Sequence, residues 1–278
     1  VNFKSFADIS EVYHAASSPG QQTLTAIPGL LMAKRYDNLS IKYDWIYRIT
    51  AKQKAQYLTV DKVNLFAIAK DKGFKIFVVG NYLPYCEMFE DYLDICQSFS
   101  EYNYGGVEKG FSIINPIMTV FNIWPRQKPQ GLVKNIAASL LQKKRIEKTK
   151  DFIYEVMQEK DAFFLFAHIY LPHIPFVFNK QGFYWNEKPF LQNDENYTSQ
   201  LDYCDVLLGQ FLESLKKAGK FDSSEIIILS DHNYRLEFPG RESKIPMFIK
   251  HPYQRNRKDI FEEIHAERLL KEVLLEMK

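Results

Sequence analysis

Four short apolar runs stand out along the chain, and each is bounded by polar residues. They are Lys75–Val79, Phe163–His168, Glu225–Ser230 and Ile245–Ile249. They are rich in isoleucine, valine and phenylalanine, and apolar and polar residues do not alternate cleanly within them. Strands of a parallel sheet that is covered on both faces have this pattern. We therefore predict four buried parallel strands.

Between these runs, apolar residues recur every three or four positions, which predicts helices. Thr59 or Asp61 can cap the first of them, which would end near Lys72 with Gly73 as its stop signal. The other helices are predicted from about Val133 to Glu159, Tyr197 to Ala218 and Lys258 to Met277. The aromatic-rich segment from Glu87 to Pro129 is expected to form loops and short helices. Alternating strands and helices predict an α/β sheet with right-handed crossovers.

Composition narrows the function classes without choosing one. The chain has 278 residues, of which 46% are hydrophobic, so it can bury a large core. Its net charge of +2 gives no general attraction to nucleic acid. No apolar run approaches the roughly 20 residues that span a bilayer. Cys86 and Cys96 can pair if the chain is extracytoplasmic, and unpaired thiols are the alternative. With no repeat or flexible linker, residues 1–278 are expected to form one domain.

An aspartate and a histidine follow directly after the third apolar run, at Asp231-His232. In α/β sheets, ligands bind beyond the carboxyl ends of the strands. A carboxylate and an imidazole at that place can bind a divalent metal together. A polar turn after a strand is the alternative that the spacing leaves open.

Two more histidines mark a second candidate. His168 ends the second apolar run, and His173 stands between Pro172 and Pro175. Because prolines stiffen a loop, they fix the direction of a side chain between them. Such a histidine can hold an anionic substrate or take part in proton transfer. A packed, hydrogen-bonded loop residue is the alternative for both.

A polar loop over residues 17–22 precedes an apolar run that can be a helix, with Thr23 where the two meet. The amino end of a helix favours anions because its free N–H groups and its dipole point there. Thr23 can be a nucleophile if a metal lowers the pKa of its hydroxyl. An ordinary helix-capping residue is the alternative.

In this order and spacing, the pieces resemble the alkaline phosphatase/sulfatase superfamily over nearly the whole chain. The most specific parts are Leu201-Asp202-Tyr203-Cys204-Asp205 and Ile228-Leu229-Ser230-Asp231-His232, followed by Lys244-Ile245-Pro246. The resemblance implies a three-layer α/β sandwich with a mostly parallel, alkaline phosphatase-like central sheet. The family's first strand, which carries an acidic metal ligand, is not found before Thr23, and Asp8 and Glu11 lie too close to Thr23 to replace it. The domain is therefore expected to be incomplete at its N-terminal side.

The resemblance also implies roles for six residues. The nucleophile and catalytic histidine would be Thr23 and His173, the substrate contacts His168 and Lys244, and the metal ligands Asp231, His232 and Thr23. The cofactor would be a divalent metal (Zn, Mn, Mg or Ca), at one site rather than two, since Asn233 replaces the usual glycine and no later histidine suits a second metal.

The implied activity is that of a hydrolase or transferase acting on a phosphate ester, rather than a sulfate ester. The Cys/Ser-x-Pro-x-Arg signature of formylglycine sulfatases is absent, and a threonine nucleophile is similar to the phosphoethanolamine and phosphoglycerol transferases. Expected partners are a small molecule, a lipid head group or a glycan, with no nucleic acid. The expected location is extracytoplasmic, with membrane association only through a segment before Val1; a cytoplasmic location is the alternative. A non-catalytic binding or scaffold domain is the alternative function.

Overall fold

The structure is a computed structural model that describes residues 1–42, 45–49, 55–100, 132–233 and 244–277. Its helices are α1 (Asn2–Ala7), α2 (Thr23–Met32), α3 (Leu65–Asp71), α4 (Tyr85–Met88), α5 (Leu132–Val156), α6 (Asp194–Lys217) and α7 (Ala266–Glu276), with a 3-10 turn over Glu90–Tyr92. Its strands are β1 (Glu11–Tyr13), β2 (Ala16–Ser17), β3 (Leu39–Lys42), β4 (Trp45–Ile49), β5 (Ala55–Tyr57), β6 (Lys75–Tyr82), β7 (Ile95–Ser100), β8 (Phe163–His168), β9 (Phe178–Asn179), β10 (Gly182–Phe183), β11 (Ile226–Leu229), β12 (Met247–Lys250), β13 (Lys258–Ile260) and β14 (Ile264–His265).

Two sheets form the central layer, in the orders β7-β6-β8 and β11-β12-β1-β13. Strand β6 runs parallel to both of its neighbours. In the second sheet β12 runs antiparallel to β11 and β1, whereas β1 and β13 are parallel. Three of these five ladders are parallel, so the central layer is mostly parallel, as predicted. Smaller pairings join β3-β4-β5, β9-β10 and β2-β14.

Helices cover both faces of this layer, and alternate strand residues divide between the faces because side chains alternate along a strand. The face toward α2, α3 and α7 carries Ile76, Val78, Phe164, Phe166, Ile227, Leu229, Met247 and Ile249. The face toward α1, α5 and α6 carries Phe77, Val79, Phe163, Leu165, Ala167, Ile226, Ile228 and Phe248. Both sheets thus lie between the same two helix layers, which confirms the three-layer α/β sandwich.

The strands of this layer differ in burial. Six of the eight residues of β6 are buried. All six residues of β8 and all four of β11 are only partly buried, although most are large and apolar. Each of these two strands ends its sheet, with no further strand paired on its outer edge among the described residues. The expectation that both are fully buried is therefore wrong, because burial needs a neighbour at each edge as well as helices on each face.

The strand positions agree with the predictions within a few residues, but one direction does not. The run predicted at Ile245–Ile249 forms β12 over Met247–Lys250, and β12 is antiparallel to β11. The prediction of four parallel strands is wrong here. An apolar run reports that both faces of a strand are covered, and it carries no information about strand direction.

Two predicted helix starts are also wrong. Neither Thr59 nor Asp61 caps α3; the cap is Asn64, whose Oδ1 accepts a hydrogen bond from the Ala67 N–H at 3.0 Å. The helix predicted from Lys258 begins only at Ala266, because the preceding residues form β13 and β14 beside β1 and β2. The stop at Gly73 is confirmed by its left-handed φ of 84°. Of the segment Glu87–Pro129, residues 87–100 form short helices and β7, and residues 101–131 lie outside the described residues.

The motif around Asp205 has a structural role at the contact between α1 and α6. Its carboxylate accepts hydrogen bonds from the N–H groups of Asn2 and Phe3 at 3.1 and 2.8 Å. Burial raises the pKa of Asp205, but these hydrogen bonds outweigh it and hold the pKa below its usual range. A Cβ on Gly209 would lie 2.7 Å from the Asn2 side chain, so only glycine allows this close approach.

Candidate active site

The loop before α2 and the end of β11 meet at the edge of the central layer. Thr23, the first residue of α2, donates a hydrogen bond from Oγ1 to Oδ2 of Asp231 at 2.6 Å. Ser18 donates from Oγ to the main-chain oxygen of Asp231 at 2.5 Å. The Thr23 side chain is buried, and its partner lies 208 residues away in sequence. Two of the predicted site residues are therefore in direct contact.

His232 faces the same carboxylate. Its Nδ1 lies 2.9 Å from the main-chain oxygen of Asn233, and a carbonyl only accepts, so Nδ1 carries a proton. Its Nε2 lies 3.7 Å from Oδ2 of Asp231, and both side chains are largely buried. In the neutral imidazole, a nitrogen lone pair and a carboxylate oxygen therefore face each other. A cation between them, or a second proton on the ring, would make that arrangement favourable.

His168 lies beside this pair at the end of β8. Its Nδ1 donates to the main-chain oxygen of Asn81 at 2.8 Å, and the Tyr85 hydroxyl lies 2.6 Å from the same nitrogen. Burial lowers the pKa of His168, and the nearby Asp231 carboxylate opposes that effect. The ring is therefore neutral at pH 7 and has its remaining lone pair on Nε2. Burial first, and Asp231 second, raise the pKa of Tyr85 well above its usual range.

Tyr85 is a site residue that the sequence analysis missed. It follows β6 on the short helix α4 and is fully buried. Gly80 makes room for it: a Cβ at that position would lie 2.2 Å from Cε2 of the tyrosine ring. The glycine near the end of an apolar strand was the available signal, but only the position of the ring explains it.

His173 lies on an exposed loop between two cis peptide bonds, Leu171–Pro172 and Ile174–Pro175. Its ring stacks on Tyr170 with centroids 4.3 Å apart. Gln200 of α6 donates from Nε2 to the main-chain oxygen of His173 at 2.6 Å, which holds the loop against the helix. His173 also contributes to the lowered pKa of His168, so the two rings share one electrostatic environment.

Lys244, the second predicted substrate contact, lies on the segment before β12. It bridges to Ser17 through the backbone and lines a cavity of about 240 Å³ next to Ser18 and Gln21. Within the described part of the chain, its side chain makes no hydrogen bond to Thr23, Asp231 or His232. The structure thus brings Thr23, Asp231, His232 and His168 together and leaves His173 and Lys244 at the rim.

The side chains at this site are of the kinds that bind a divalent metal, but they are too few to form a complete set of ligands. A carboxylate, an imidazole and a hydroxyl converge at Asp231, His232 and Thr23, and the first two are common ligands of zinc and similar ions. Among the described residues, however, no three His, Cys, Asp or Glu side chains form a metal-binding group. Protein zinc sites usually have three or four protein ligands. The three residues would therefore be part of a ligand set, and a single metal rather than two stays a prediction.

The sequence model of the sulfatase family matches residues 10–271, which is most of the chain. The chain belongs to the sulfatase family. The resemblance to the alkaline phosphatase/sulfatase superfamily is thereby confirmed, as is the expectation of an enzyme-family domain. Members of this superfamily generally use a divalent metal. No curated protein sequence matches the chain.

Solved structures show the same fold. Ps i-CgsB, solved in complex with k-i-k-neocarrahexaose, has a TM-score of 0.63 at 15% identity and covers 100% of this chain and 66% of its own. Lipoteichoic acid synthase LtaP from Listeria monocytogenes has a TM-score of 0.60 at 14% identity, and the match covers 99% of this chain and 65% of that protein. Phosphonate monoester hydrolase of Agrobacterium radiobacter has a TM-score of 0.57 at 12% identity, and the match covers 97% of this chain and 67% of that protein. The chain thus spans about two thirds of the length of these proteins, and at such identities the likeness shows the fold alone.

Two further observations concern location. Cys86 and Cys96 form a disulfide, with Cα atoms 5.6 Å apart, which decides a question that the sequence left open. In the described part of the chain, no helix is long and apolar enough to cross a bilayer.

Proposed function

We propose that this sulfatase-family domain is a metal-dependent hydrolase or transferase that acts on a phosphate ester, rather than a sulfate ester, with Thr23 as the nucleophile. The observation that carries the proposal is the 2.6 Å hydrogen bond from Thr23 Oγ1 to Asp231 Oδ2 at the amino end of α2. A buried hydroxyl aimed at a carboxylate has an acceptor for its proton, and the helix end favours the anionic ester.

In the proposed reaction, Thr23 Oγ1 forms a bond to phosphorus while the bond from phosphorus to the alcohol oxygen breaks. The hydroxyl proton leaves toward Asp231, and one proton passes from the site to the oxygen of the departing alcohol. Water, or an acceptor alcohol in a transferase, then attacks phosphorus while the bond from phosphorus to Thr23 Oγ1 breaks. The proton that the attacking oxygen loses restores the threonine hydroxyl. A bound divalent metal would lower the pKa of the Thr23 hydroxyl and balance the charge of the transferred group.

The other predicted residues have supporting roles in this proposal. His173 on its stiff loop would act as the catalytic histidine, and neutral His168 would offer Nε2 to the transferred group or its proton. Lys244 would contact the substrate from the rim with its ammonium. Asp231, His232 and Thr23 would hold the metal.

The substrate class stays broad: a small phosphoester, a lipid head group or a glycan. The family membership supports the hydrolase or transferase class. The names of the similar structures, a phosphonate monoester hydrolase, a lipoteichoic acid synthase and a complex with a carrageenan oligosaccharide, support these ester classes without selecting one.

Substituting Thr23 tests the proposal. Thr23→Ala should lower turnover of a phosphate monoester by at least about 10³-fold, because the residue that accepts the phosphoryl group is gone. Thr23→Ser should keep part of the activity. In the wild type, rapid acid quench and mass spectrometry should find a phosphoryl group on the peptide that contains Thr23. Wild-type turnover in Thr23→Ala, with the fold intact by circular dichroism, would show that the assignment is wrong.

We infer an extracytoplasmic location from the Cys86–Cys96 disulfide, since disulfides persist in oxidising compartments. We also infer that residues 1–278 are one catalytic domain whose central layer takes a further strand. The partly buried apolar strands β8 and β11 support this, because they end the two sheets and share the same helix layers.

A non-catalytic binding or scaffold domain is the second candidate. It is favoured by the missing third His, Cys, Asp or Glu ligand among the described residues. Metal content separates the two. An enzyme should bind zinc or manganese in a defined ratio by plasma mass spectrometry, and Asp231→Asn should lose that metal. A scaffold should bind none at a pH where its histidines are neutral.

A further inference from the structure

A cavity of about 240 Å³ opens beside the candidate active site, on the other side of the loop that leads to Thr23. Its walls come from that loop, from Arg35 three residues after α2, from Lys244 before β12 and from the segment before α7. The lining residues are Ala15, Ser17, Ser18, Gln21, Arg35, Lys244, Glu263 and His265. The function proposed above uses only Lys244 from this set, so the other polar groups need a separate explanation.

The guanidinium of Arg35 is held in a fixed orientation in this cavity. Its Nε donates to Oε1 of Glu267 at 2.8 Å, and Glu267 is almost fully buried, with a side-chain exposure of 2%. Its Nη2 lies 2.6 Å from His265 Nδ1 and 3.2 Å from the Ser17 oxygen. A guanidinium has five N–H donors, so this anchoring leaves others for a ligand, and the side chain is still 48% exposed.

The remaining walls are mainly donors. Because His265 Nδ1 accepts from Arg35, Nε2 carries the proton of the neutral ring and can donate. The Lys244 ammonium makes no ion pair within the described ranges, so its charge is available. Gln21 adds an amide. Glu263 is the one acid in the lining, and its carboxylate can accept from hydroxyl groups.

The cavity is also joined to the candidate active site. Ser18 lines it and donates to the main-chain oxygen of Asp231, and Gln21 lies two residues before Thr23. The cavity wall and the amino end of α2 are therefore parts of one loop, so a molecule bound at Thr23 has the cavity as its neighbour. Cationic donors with one carboxylate suit an anionic group carried on a hydroxylated framework, such as a sugar.

We propose that this cavity is a second anion subsite, in which Arg35, Lys244 and His265 bind a phosphate or sulfate group of the substrate other than the group that is transferred. Because the subsite proposal calls the ligand a substrate, it rests on the function proposed above. The predicted substrate class is a small hydroxylated molecule or glycan unit with two anionic ester groups.

Binding without turnover tests the subsite. We would titrate glucose 1,6-bisphosphate and glucose 6-phosphate into Thr23→Ala protein by calorimetry, and inorganic sulfate as a further probe. The bisphosphate should bind at least about tenfold tighter than the monophosphate, a difference of about 1.4 kcal/mol. The His265 ring signals in NMR spectra should shift with the bisphosphate.

The variant that probes the subsite is Arg35→Gln with Glu267→Gln, because Arg35→Gln alone would leave a buried carboxylate without its partner. The matched control is Arg255→Gln with Asp222→Asn, an exposed pair joined at 2.8 and 2.9 Å. The first variant should lose the tenfold preference and the control should keep it. If the first variant does not fold, Lys244→Met, which changes an exposed side chain, should weaken the preference.

Several outcomes would overturn the subsite: no preference for the bisphosphate in otherwise unchanged protein, no binding of it at all, or the same preference in the subsite and control variants. None of these measurements depends on catalysis. Activity that survives Thr23→Ala would contradict the nucleophile while leaving the binding result intact, so the two proposals fail separately.

Discussion

An acid and a histidine meet near each end of strand β11, but the two clusters are built differently. At the amino end, His251 lies between two carboxylates, 2.8 Å from Glu225 and 3.3 Å from Glu11. Glu11 also accepts from Lys258 at 2.7 Å and from the Tyr13 hydroxyl at 2.6 Å. Donors there surround the acids. At the carboxyl end, Asp231 meets hydroxyls and imidazoles, and no Lys or Arg of the described ranges pairs with it.

This difference separates a cluster in which Glu11 is paired with several donors from the candidate active site. Burial raises the pKa of Glu11, but the hydrogen bonds from Lys258, Tyr13 and His251 outweigh it, so the pKa lies below its usual range. The charge of Glu11 is thus paired with donors within the chain, whereas burial raises the pKa of its neighbour Glu225. At the Asp231 end the balance is incomplete, which is the condition in which a bound cation or substrate gains binding energy.

The largest expected effect comes from neutralising one acid at each end. Asp231→Asn should reduce phosphoester turnover by at least about 10³-fold, because in the proposed site it removes the carboxylate that would hold the metal and take the Thr23 proton. Its free energy of unfolding should change by less than about 1 kcal/mol. Glu11→Gln should do the reverse and leave turnover nearly unchanged. Steady-state kinetics and urea unfolding measure both, and similar activity losses in the two variants would remove the distinction.

A second prediction concerns the cluster at the carboxyl end of β11 and changes only how side chains pack beside it. Gly80→Ala puts a Cβ about where Tyr85 lies, at 2.2 Å from the ring. Overpacking of this kind costs about 1–3 kcal/mol. The tyrosine must shift and take its hydroxyl away from His168, so activity should fall as well. Adding Tyr85→Ala should recover stability relative to the sum of the two single changes. Simple additivity in thermal or urea unfolding would contradict the packing argument.

The amino end should show its effect in stability. Glu11→Gln should cost about 1–3 kcal/mol at pH 7, since a buried charged acceptor with three partners is lost. Because the folded pKa of Glu11 is lowered from 4.5, its contribution is present above pH 4.5 and is lost as the pH falls through the folded value. Unfolding free energies from pH 6 downward should therefore drop less steeply in the variant. Parallel curves would mean that Glu11 is not the titrating group.

The prediction with the smallest expected effect needs no substitution and concerns strand β11, which joins the two clusters, together with β8. Hydrogen exchange should be roughly ten times faster or more for amides of β8 and β11 than for those of β6, because unpaired edges and partly buried residues open more easily. Mass spectrometry of native protein, with peptides from β6 as the internal reference, measures this. Equal protection would argue that the edges are covered.

Much of this arrangement could be predicted from the sequence, because it depends on the local pattern of apolar and polar residues. The apolar run Phe163–His168 forms β8 with the predicted bounds, and the loop before Thr23 does lead into a helix. The order and spacing of these segments then gave the resemblance to the family. The resemblance could not show that Lys244 lines the neighbouring cavity, because its position depends on the backbone bridge between Ser17 and Lys244. It could not reveal Tyr85 either, since Gly80 indicates a close approach to β6 but not which ring makes it.

The sequence alone determined which segments are apolar, where the strands lie to within a few residues and which ionisable residues follow them, because hydrophobic periodicity and strand-end chemistry are local properties. Only the tertiary structure decided which of these residues meet. Thr23 and Asp231 are 208 positions apart and 2.6 Å apart in space. The direction of β12, the start of α7 and the balance of charge at each end of β11 were set by pairing and packing between distant segments, and no local pattern encodes such contacts.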